Sequence, residues 1–350
     1  MNVLEQIDMK VDAASDLNDL VLVTGGAGFI GSHTVEALLN RGYRVRVLDN
    51  LSTGKRLNLP LGHPQLELVV GDVLDENMIQ NAMTDINRCV HLAAQVSAVK
   101  SIEEPRESAL INILGFINVL EAVHVKRVDR LVYASSAAVY CDTLRLPLVE
   151  DDPPQPINPY GLEKFVDELY ADFYQRQYGI RTLGLRYFNV YGPRQDPSSP
   201  YSGVISKFID RLSAGRSPII YGDGNQTRDF IHVKDVAEAN VAALTSEYCG
   251  VCNVATGSRV KLLKLVEIMN RQGGTQIDPQ LFPSRAGDIR HSCGDNSRLQ
   301  NCLMCTPHRH LAHGLRELIA SKSSSGKVRR LKTLKGKRPD GVSTIAGAAK

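Results

Sequence analysis

Apolar positions in the first 190 residues follow two alternating rhythms. Short apolar runs rich in Val, Leu and Ile recur at Leu20–Thr24, Val45–Leu48, Leu66–Val70, Arg88–Leu92, Leu131–Ala134 and Ile180–Tyr187. Runs of this length without polar alternation predict strands buried on both faces of a parallel sheet. Between them, helical spacing predicts helices over Ser32–Leu39 (closed by Gly42), Asp75–Met83, Pro105–Val125 and Tyr160–Tyr178. Strand and helix in alternation give an α/β fold with a doubly wound parallel sheet, which the sixth run finishes. Beyond Asn189 the rhythm breaks at Gly192, Pro193, Pro197 and Pro200. The helical stretches Val204–Leu212, Lys234–Leu244 and Lys261–Met269 then predict a smaller, irregular α/β domain closing over the first. The expected division is 20–190, 191–320 and a tail, 321–350.

The first strand runs into a crowded glycine turn. Gly26-Ala-Gly28-Phe-Ile-Gly31 follows a strand, opens a helix, and precedes a second strand that ends at Asp49. Glycines there allow a tight turn, close approach to a pyrophosphate, and close packing of helix on strand. The helix N-terminus offers unpaired N–H groups and a favourable dipole to that anion. Asp49 stands where a carboxylate accepts hydrogen bonds from an adenosine ribose, and its charge favours NAD over NADP by repelling a 2′-phosphate. The sheet is therefore expected to be Rossmann-type.

Ligands of such sheets lie at the carboxyl ends of strands. Asp72, after the third strand, either reaches the adenine or caps the helix from Asp75. Ala93, Ala94 and Gln95 follow the fourth strand, and Ser135 and Ser136 the fifth. The candidate cofactor contacts are Gly25, Gly28, Phe29, Ile30, Gly31, Asp49, Asn50, Asp72, Val73, Leu92, Ala93, Ala94, Gln95, Asn112, Tyr160, Lys164 and Tyr187.

Composition narrows the class. With 43% hydrophobic and 23% charged residues, the 350-residue chain reads as an ordinary globular protein with ample core. No apolar run reads as long enough to span a bilayer, and Glu5, Asp8, Asp12, Asp16 and Asp19 are unlike a signal peptide. Seven scattered cysteines suggest reduced thiols and a cytoplasmic setting. From Ser321 on, nine Lys or Arg stand against Asp340 alone, so a tail of +8 hides a remainder of −5 within the net +3. That tail reads as a solvated, disordered extension, and without interleaved aromatics no nucleic-acid partner is expected. Cys302-x-x-Cys305 with His308, His310 and His313 has zinc-like spacing, but no second cysteine pair accompanies it, so no metal is assigned.

Ser136, Tyr160 and Lys164 are the candidate catalytic residues. Tyr160 and Lys164 are one helical turn apart and share a face. A tyrosine with its ordinary pKa of about 10 is a poor base at neutral pH. A lysine ammonium and a nicotinamide cation beside it favour phenolate. Ser136 is placed to hydrogen-bond the same substrate oxygen.

Five motifs in order, TGGAGFIGS (24–32), YASSAAVY (133–140), PYGLEK (159–164), LRYFNVYGP (185–193) and RDFIHVKDV (228–236), resemble the extended short-chain dehydrogenase/reductase family. Within it the chain looks like the UDP-hexose 4-epimerases, from Leu20 to about Ala320. The resemblance implies that Tyr160 removes the sugar 4-OH proton while C4 passes hydride to NAD⁺. A 4-keto sugar then turns and is reduced on its other face. It implies a homodimer pairing the Pro105–Val125 and Tyr160–Tyr178 helices. The implied substrate contacts are Ser136, Tyr160, Asn189, Tyr221, Arg228, Arg285, Asp288 and Ser292. Ser292, four residues past the Arg285-Ala-Gly-Asp288 segment, aligns with a gate beside the sugar 2-substituent. A serine there leaves room for an acetamido group, which predicts UDP-N-acetylglucosamine/UDP-N-acetylgalactosamine and plain UDP-hexoses as substrates.

Some features stand apart from this pattern. Cys141 occupies a position where these enzymes usually carry glycine. Dehydratases of the family need an acid beside the strand-end Ser or Thr, whereas Ala137 and Ala138 follow Ser136 here. A nucleotide-sugar dehydratase, a uronate epimerase or decarboxylase, and a silent NAD-binding sensor or scaffold are the competing readings.

Overall fold

The computed structural model describes residues 19–140, 142–143, 145–196, 203–284 and 288–321. The chain begins with β1 (Leu20–Thr24), α1 (Phe29–Leu39), β2 (Arg44–Asp49), β3 (Leu66–Val70), α2 (Glu76–Ala82) and β4 (Arg88–His91). It continues with α3 (Ala98–Glu103), α4 (Pro105–Ala109), a π-helical turn over Leu110–Leu114, α5 (Gly115–Lys126) and β5 (Arg130–Ser136). A 3₁₀ turn, Ala137–Val139, precedes α6 (Pro159–Tyr178) and β6 (Thr182–Tyr187). Then come β7 (Asn189–Tyr191), α7 (Val204–Ser213), β8 (Ile219–Tyr221), β9 (Thr227–Arg228), β10 (Phe230–His232) and α8 (Val233–Thr245). The last are β11 (Gly250–Val254), β12 (Val260–Lys261), α9 (Leu262–Gly273), β13 (Gln280–Phe282) and α10 (Ser297–Cys302), with residues 311–321 also helical.

Seven strands form one sheet in the order β11-β6-β5-β4-β1-β2-β3, every pair parallel. Side chains alternate between its faces. Val21 and Val23 meet α1 and α8 through Val35, Leu38, Val236 and Val241. Leu20 and Leu22 meet α2, α5 and α6 through Ile79, Phe116, Leu120 and Tyr174. A separate core of Phe208, Ile209, Leu265, Met269 and Leu315 serves the elements beyond the sheet.

Three expectations are corrected. The sixth strand does not finish the sheet, because Gly250–Val254 returns and pairs with Leu183–Tyr187 as a seventh. Asp75 rather than Asp72 caps α2, its carboxylate accepting from Met78 N at 3.0 Å. The segment Pro105–Lys126 does have the length and composition of a membrane span, with a mean hydropathy of 1.6. Half of it is buried inside the protein, as expected of a core helix, and its Asn112 end carries the π turn.

Candidate active site

The glycine turn is held from several sides. Gly25, at φ +67, donates its N–H to Leu48 O at 2.8 Å. A Cβ on Gly25 would lie 2.7 Å from Ala93 N, so the β1 turn presses against the segment after β4. A Cβ on Gly31 would lie 2.1 Å from Gly25 O, which is the close helix-on-turn packing expected. Gly28 differs: its Cβ would meet only Gly25 O, at 3.1 Å. Gly28 also begins α1 without a side-chain cap, and no acid lies in the helix's first turn. The N–H groups of Phe29, Ile30 and Gly31 thus form an anion cradle that fits a dinucleotide pyrophosphate.

Asp49 closes this turn. Its Oδ2 accepts from Ala27 N at 2.9 Å and its Oδ1 from Leu51 N at 2.8 Å. Each oxygen keeps a lone pair for a ribose hydroxyl. Asn50 donates to Asp72 Oδ2 at 2.8 Å, and Asp72 Oδ1 accepts from Leu74 N, which sets the loop at buried Val73. Leu92 N donates to Thr24 O, and Leu92, Ala93, Ala94 and Gln95 are all half-buried. Both amide hydrogens of Asn112 are taken by protein. Its Oδ1 accepts from Gln95 N, and its Nδ2 donates to Gln95 O and, at 2.6 Å, to Glu163 Oε2. It therefore acts on the site by bracing the Gln95 backbone and α6.

The end of β5 and the start of α6 come together because Gly161 lacks a side chain. A Cβ there would stand 2.2 Å from Ala138 O. Asn158 caps α6 by accepting from Gly161 N at 2.9 Å, and Tyr160 N donates to Ser101 Oγ at 3.0 Å. Ser136 Oγ accepts from Ala138 N at 3.1 Å, leaving its own hydroxyl hydrogen for another partner. Tyr160 is half-buried, while Lys164 is 1% exposed and donates to Asp167 Oδ2 at 3.0 Å. Burial works against the Lys164 ammonium, yet the Asp167 and Tyr160 charges together hold it above the ordinary lysine range.

Ser136 opens onto a cleft of about 290 Å³ that also involves Ala98, Asn158, Tyr187, Asn189, Arg228, Asp288 and Ser292. Tyr187 sends its hydroxyl away, to Asn240 Oδ1 at 2.6 Å. Asn189 Nδ2 and N both donate to Asp229 O. The Asp229 carboxylate in turn accepts from Thr256 N, Thr256 Oγ1 and Gly257 N, and this fixes the Arg228 segment. Burial disfavours the Arg228 guanidinium, against the nearby charges of Asp288 and Asp142. It donates to Thr227 O but has no carboxylate in contact among the described residues, a state that suits an incoming phosphate. Ser292 is 7% exposed, tied to Thr227 O through its N–H.

Two expected substrate contacts, Tyr160 and Tyr221, are not among the residues that line this cleft. Tyr221 sits in the β8–β13 ladder with its ring 5.9 Å from that of Phe282. Arg285 and Cys141 lie outside the described residues. Among the described residues no group of three or more His, Cys, Asp or Glu is placed to hold a metal. His308 and His313 face Asp235 and Glu317 instead. Asn158 and Asp229 went unread in the sequence. The first had a signal, Asn before Pro at a helix start; the second had none.

Comparison with known proteins agrees with this geometry. Residues 21–255 match the NAD dependent epimerase/dehydratase family. A UDP-glucose 4-epimerase of Mycolicibacterium smegmatis is 36% identical over 304 residues, covering 85% of this chain and 96% of the relative. The structure of a UDP-N-acetylglucosamine 4-epimerase from Methanobrevibacter ruminantium, in complex with UDP-N-acetylmuramic acid, superposes with a TM-score of 0.85 at 39% identity. That match covers 88% of this chain and 99% of the other. A Thermus thermophilus UDP-glucose 4-epimerase in complex with NAD gives 0.79 at 38% identity, covering 85% and 96%.

Proposed function

Because the chain belongs to the NAD-dependent epimerase/dehydratase family, we propose that it is a UDP-hexose 4-epimerase. It inverts C4 through a transient 4-keto sugar, with no net redox change. The observation that carries the reading is the seating of Gly161 on the Ala138 carbonyl. That contact sets the start of α6, which carries Tyr160 and Lys164, against the end of β5, whose Ser136 lines a cleft that also includes Arg228, a guanidinium with no carboxylate in contact among the described residues. NAD⁺, when bound in the glycine cradle, supplies the hydride acceptor and donor. Tyr160 takes the 4-OH proton and returns it after the sugar turns. Ser136 donates its free hydroxyl hydrogen to the same oxygen. Lys164 favours the phenolate by its charge, and Arg228 binds a phosphate of the UDP. Ala137 and Ala138 offer no carboxylate for elimination, which sets the dehydratase reading aside.

Ser292 on the cleft wall supports acceptance of N-acetyl sugars alongside plain hexoses, since a roomy pocket rejects a smaller substrate poorly. A homodimer is the proposed assembly. Phe116 and Leu120 pack inside the monomer, but Leu110, Leu114, Leu162, Leu169 and Phe173 are each more than 40% exposed on the paired helical surface. A second copy of that surface is a fitting cover. The six cysteines described are all free thiols, in keeping with a reducing, cytoplasmic setting.

The test is incubation of the purified protein with NAD and each of the four UDP-sugars, followed by resolution of the C4 epimers. Tyr160→Phe is expected to abolish turnover while UDP-sugar binding persists. Turnover at the wild-type rate in that variant, or no epimer from any of the four sugars, would refute the reading.

A further inference from the structure

Helix α6 buries ionisable groups that this chemistry does not use, Asp167 among them. From Tyr160 the helix brings Lys164 and then Asp167 onto one stripe, and the two side chains are 2% and 1% exposed. Lys164 Nζ donates to Asp167 Oδ2 at 3.0 Å. Asp167 Oδ1 is buried with no hydrogen-bond partner. An acid left in that state is costly to ionise, so its charge depends on its neighbours and on pH.

We propose that Asp167 is a positioning residue that fixes the Lys164 ammonium and, through its own charge, sets how readily the Tyr160 phenol releases its proton. The inference rests on the reading of Tyr160 as the base. Burial pushes the Asp167 carboxyl up to about 7, against the pull of Lys164. Lys164 stays charged through neutrality, whereas Asp167 becomes anionic as pH passes it. Below that point the full lysine charge favours phenolate. Above it, the carboxylate cancels part of the effect and opposes the phenolate directly.

Other groups around the pair do not share this behaviour. His91 of β4 is held down to about 3 by burial, with Lys164 adding to the effect. Tyr133 of β5 is pushed up by burial. Glu168 of α6 is bound by Arg186 of β6 and by Ser135 of β5. Glu163 accepts from Ser108 of α4 and from Asn112 of the π turn. Lys100 of α3 pairs with Glu104 and Glu107 at the surface. Glu121 of α5 takes the Tyr174 hydroxyl, and His124 stacks on Tyr178. Tyr187 of β6 and Cys252 of β11 are both raised by burial and stay neutral.

The experiment compares wild type, Asp167→Asn and Asp167→Glu as NAD-loaded enzymes. Two readouts are taken: the acid limb of the kcat–pH profile with a UDP-sugar, and the pH at which phenolate absorbance appears, referenced to Tyr160→Phe. Seven helical residues separate Tyr160 and Asp167 by roughly 10 Å, so at an effective dielectric of about 20 removing the charge moves both readouts down by about one pH unit. Asp167→Glu is expected to follow the wild type. An unmoved or raised limb and phenolate transition in folded Asp167→Asn would overturn the proposal. Should that variant not fold, infrared titration of isotope-labelled aspartate in the wild type decides, because the absence of a carboxyl titrating near neutrality would also overturn it. A phenolate transition that shifts as stated in an enzyme that turns over no UDP-sugar would support this inference and refute only the proposed activity.

Discussion

Replacing Gly31 and Gly28 by alanine, one at a time, separates the glycine that builds the turn from the glycine that faces the cofactor. At Gly31 the new methyl would lie 2.1 Å from Gly25 O and 2.8 Å from Gly26 Cα. Both are backbone atoms, so α1 must move off the turn by about an ångström. Overpacking on that scale costs about 3 kcal/mol, offset by about 1 kcal/mol from the better helix propensity of alanine, leaving about 2 kcal/mol of lost stability. At Gly28 the methyl meets only Gly25 O at 3.1 Å, and φ is −76 with extended ψ, which any residue adopts. The stability change there is expected to stay within about 1 kcal/mol, since a compatible Gly→Ala also restrains the unfolded chain. That methyl, however, stands in the cradle, and NAD binding should weaken by roughly tenfold or more, ~1.4 kcal/mol. Urea unfolding without cofactor measures the first effect, and calorimetric NAD titration the second. Gly31→Ala as stable as wild type, or Gly28→Ala binding NAD normally, would refute the assignment of the two roles.

Four further outcomes are expected. Ser292→Tyr should cut N-acetyl sugar turnover and spare plain hexoses in a paired kinetic assay; retained N-acetyl turnover would remove the gate. Leu114→Asp combined with Phe173→Asp should give a monomer by light scattering, whereas an unchanged mass would exclude this face as the interface. Phe116→Ala, in a fully buried site between His91 and Tyr133, should cost about 3–5 kcal/mol in chemical unfolding. Removing residues 321–350 should leave kcat unchanged for the soluble protein, and a soluble but inactive truncation would contradict the reading of the tail as dispensable.

The parts of this fold legible from sequence are those encoded within a few neighbouring residues. The run from Leu20 to Asp49 spells strand, turn, helix, strand and acid through local spacing alone, and each stands where expected. Strand-end Ser136 and the Tyr160/Lys164 turn were likewise readable from position. What escaped is what depends on distant partners. Gly250–Val254 is a short stretch that lacks its own signal, and only pairing with β6 makes it a sheet strand. Asp72 and Asp75 both suit a helix start, and the choice follows from which carboxylate meets Met78 N. Nothing local reveals that Asn112 also braces the Gln95 backbone and Glu163 through its amide. The π turn that carries it interrupts an apolar stretch with no Gly or Pro to announce the change, until Gly115 follows.

The return of β11 to the sheet bears on where this protein can be cut. A fragment ending near residue 190 would keep the glycine turn, Ser136, Tyr160 and Lys164, yet its β6 would lose the neighbour on one side. All six residues from Thr182 to Tyr187 are buried in the whole protein. Stripped of β11, they would present a row of open N–H and C=O groups, a template for adding another chain's strand. Such a fragment is expected to precipitate or assemble edge to edge. A stable minimal unit has to extend through Val254, carrying the intervening α7 and α8 with it.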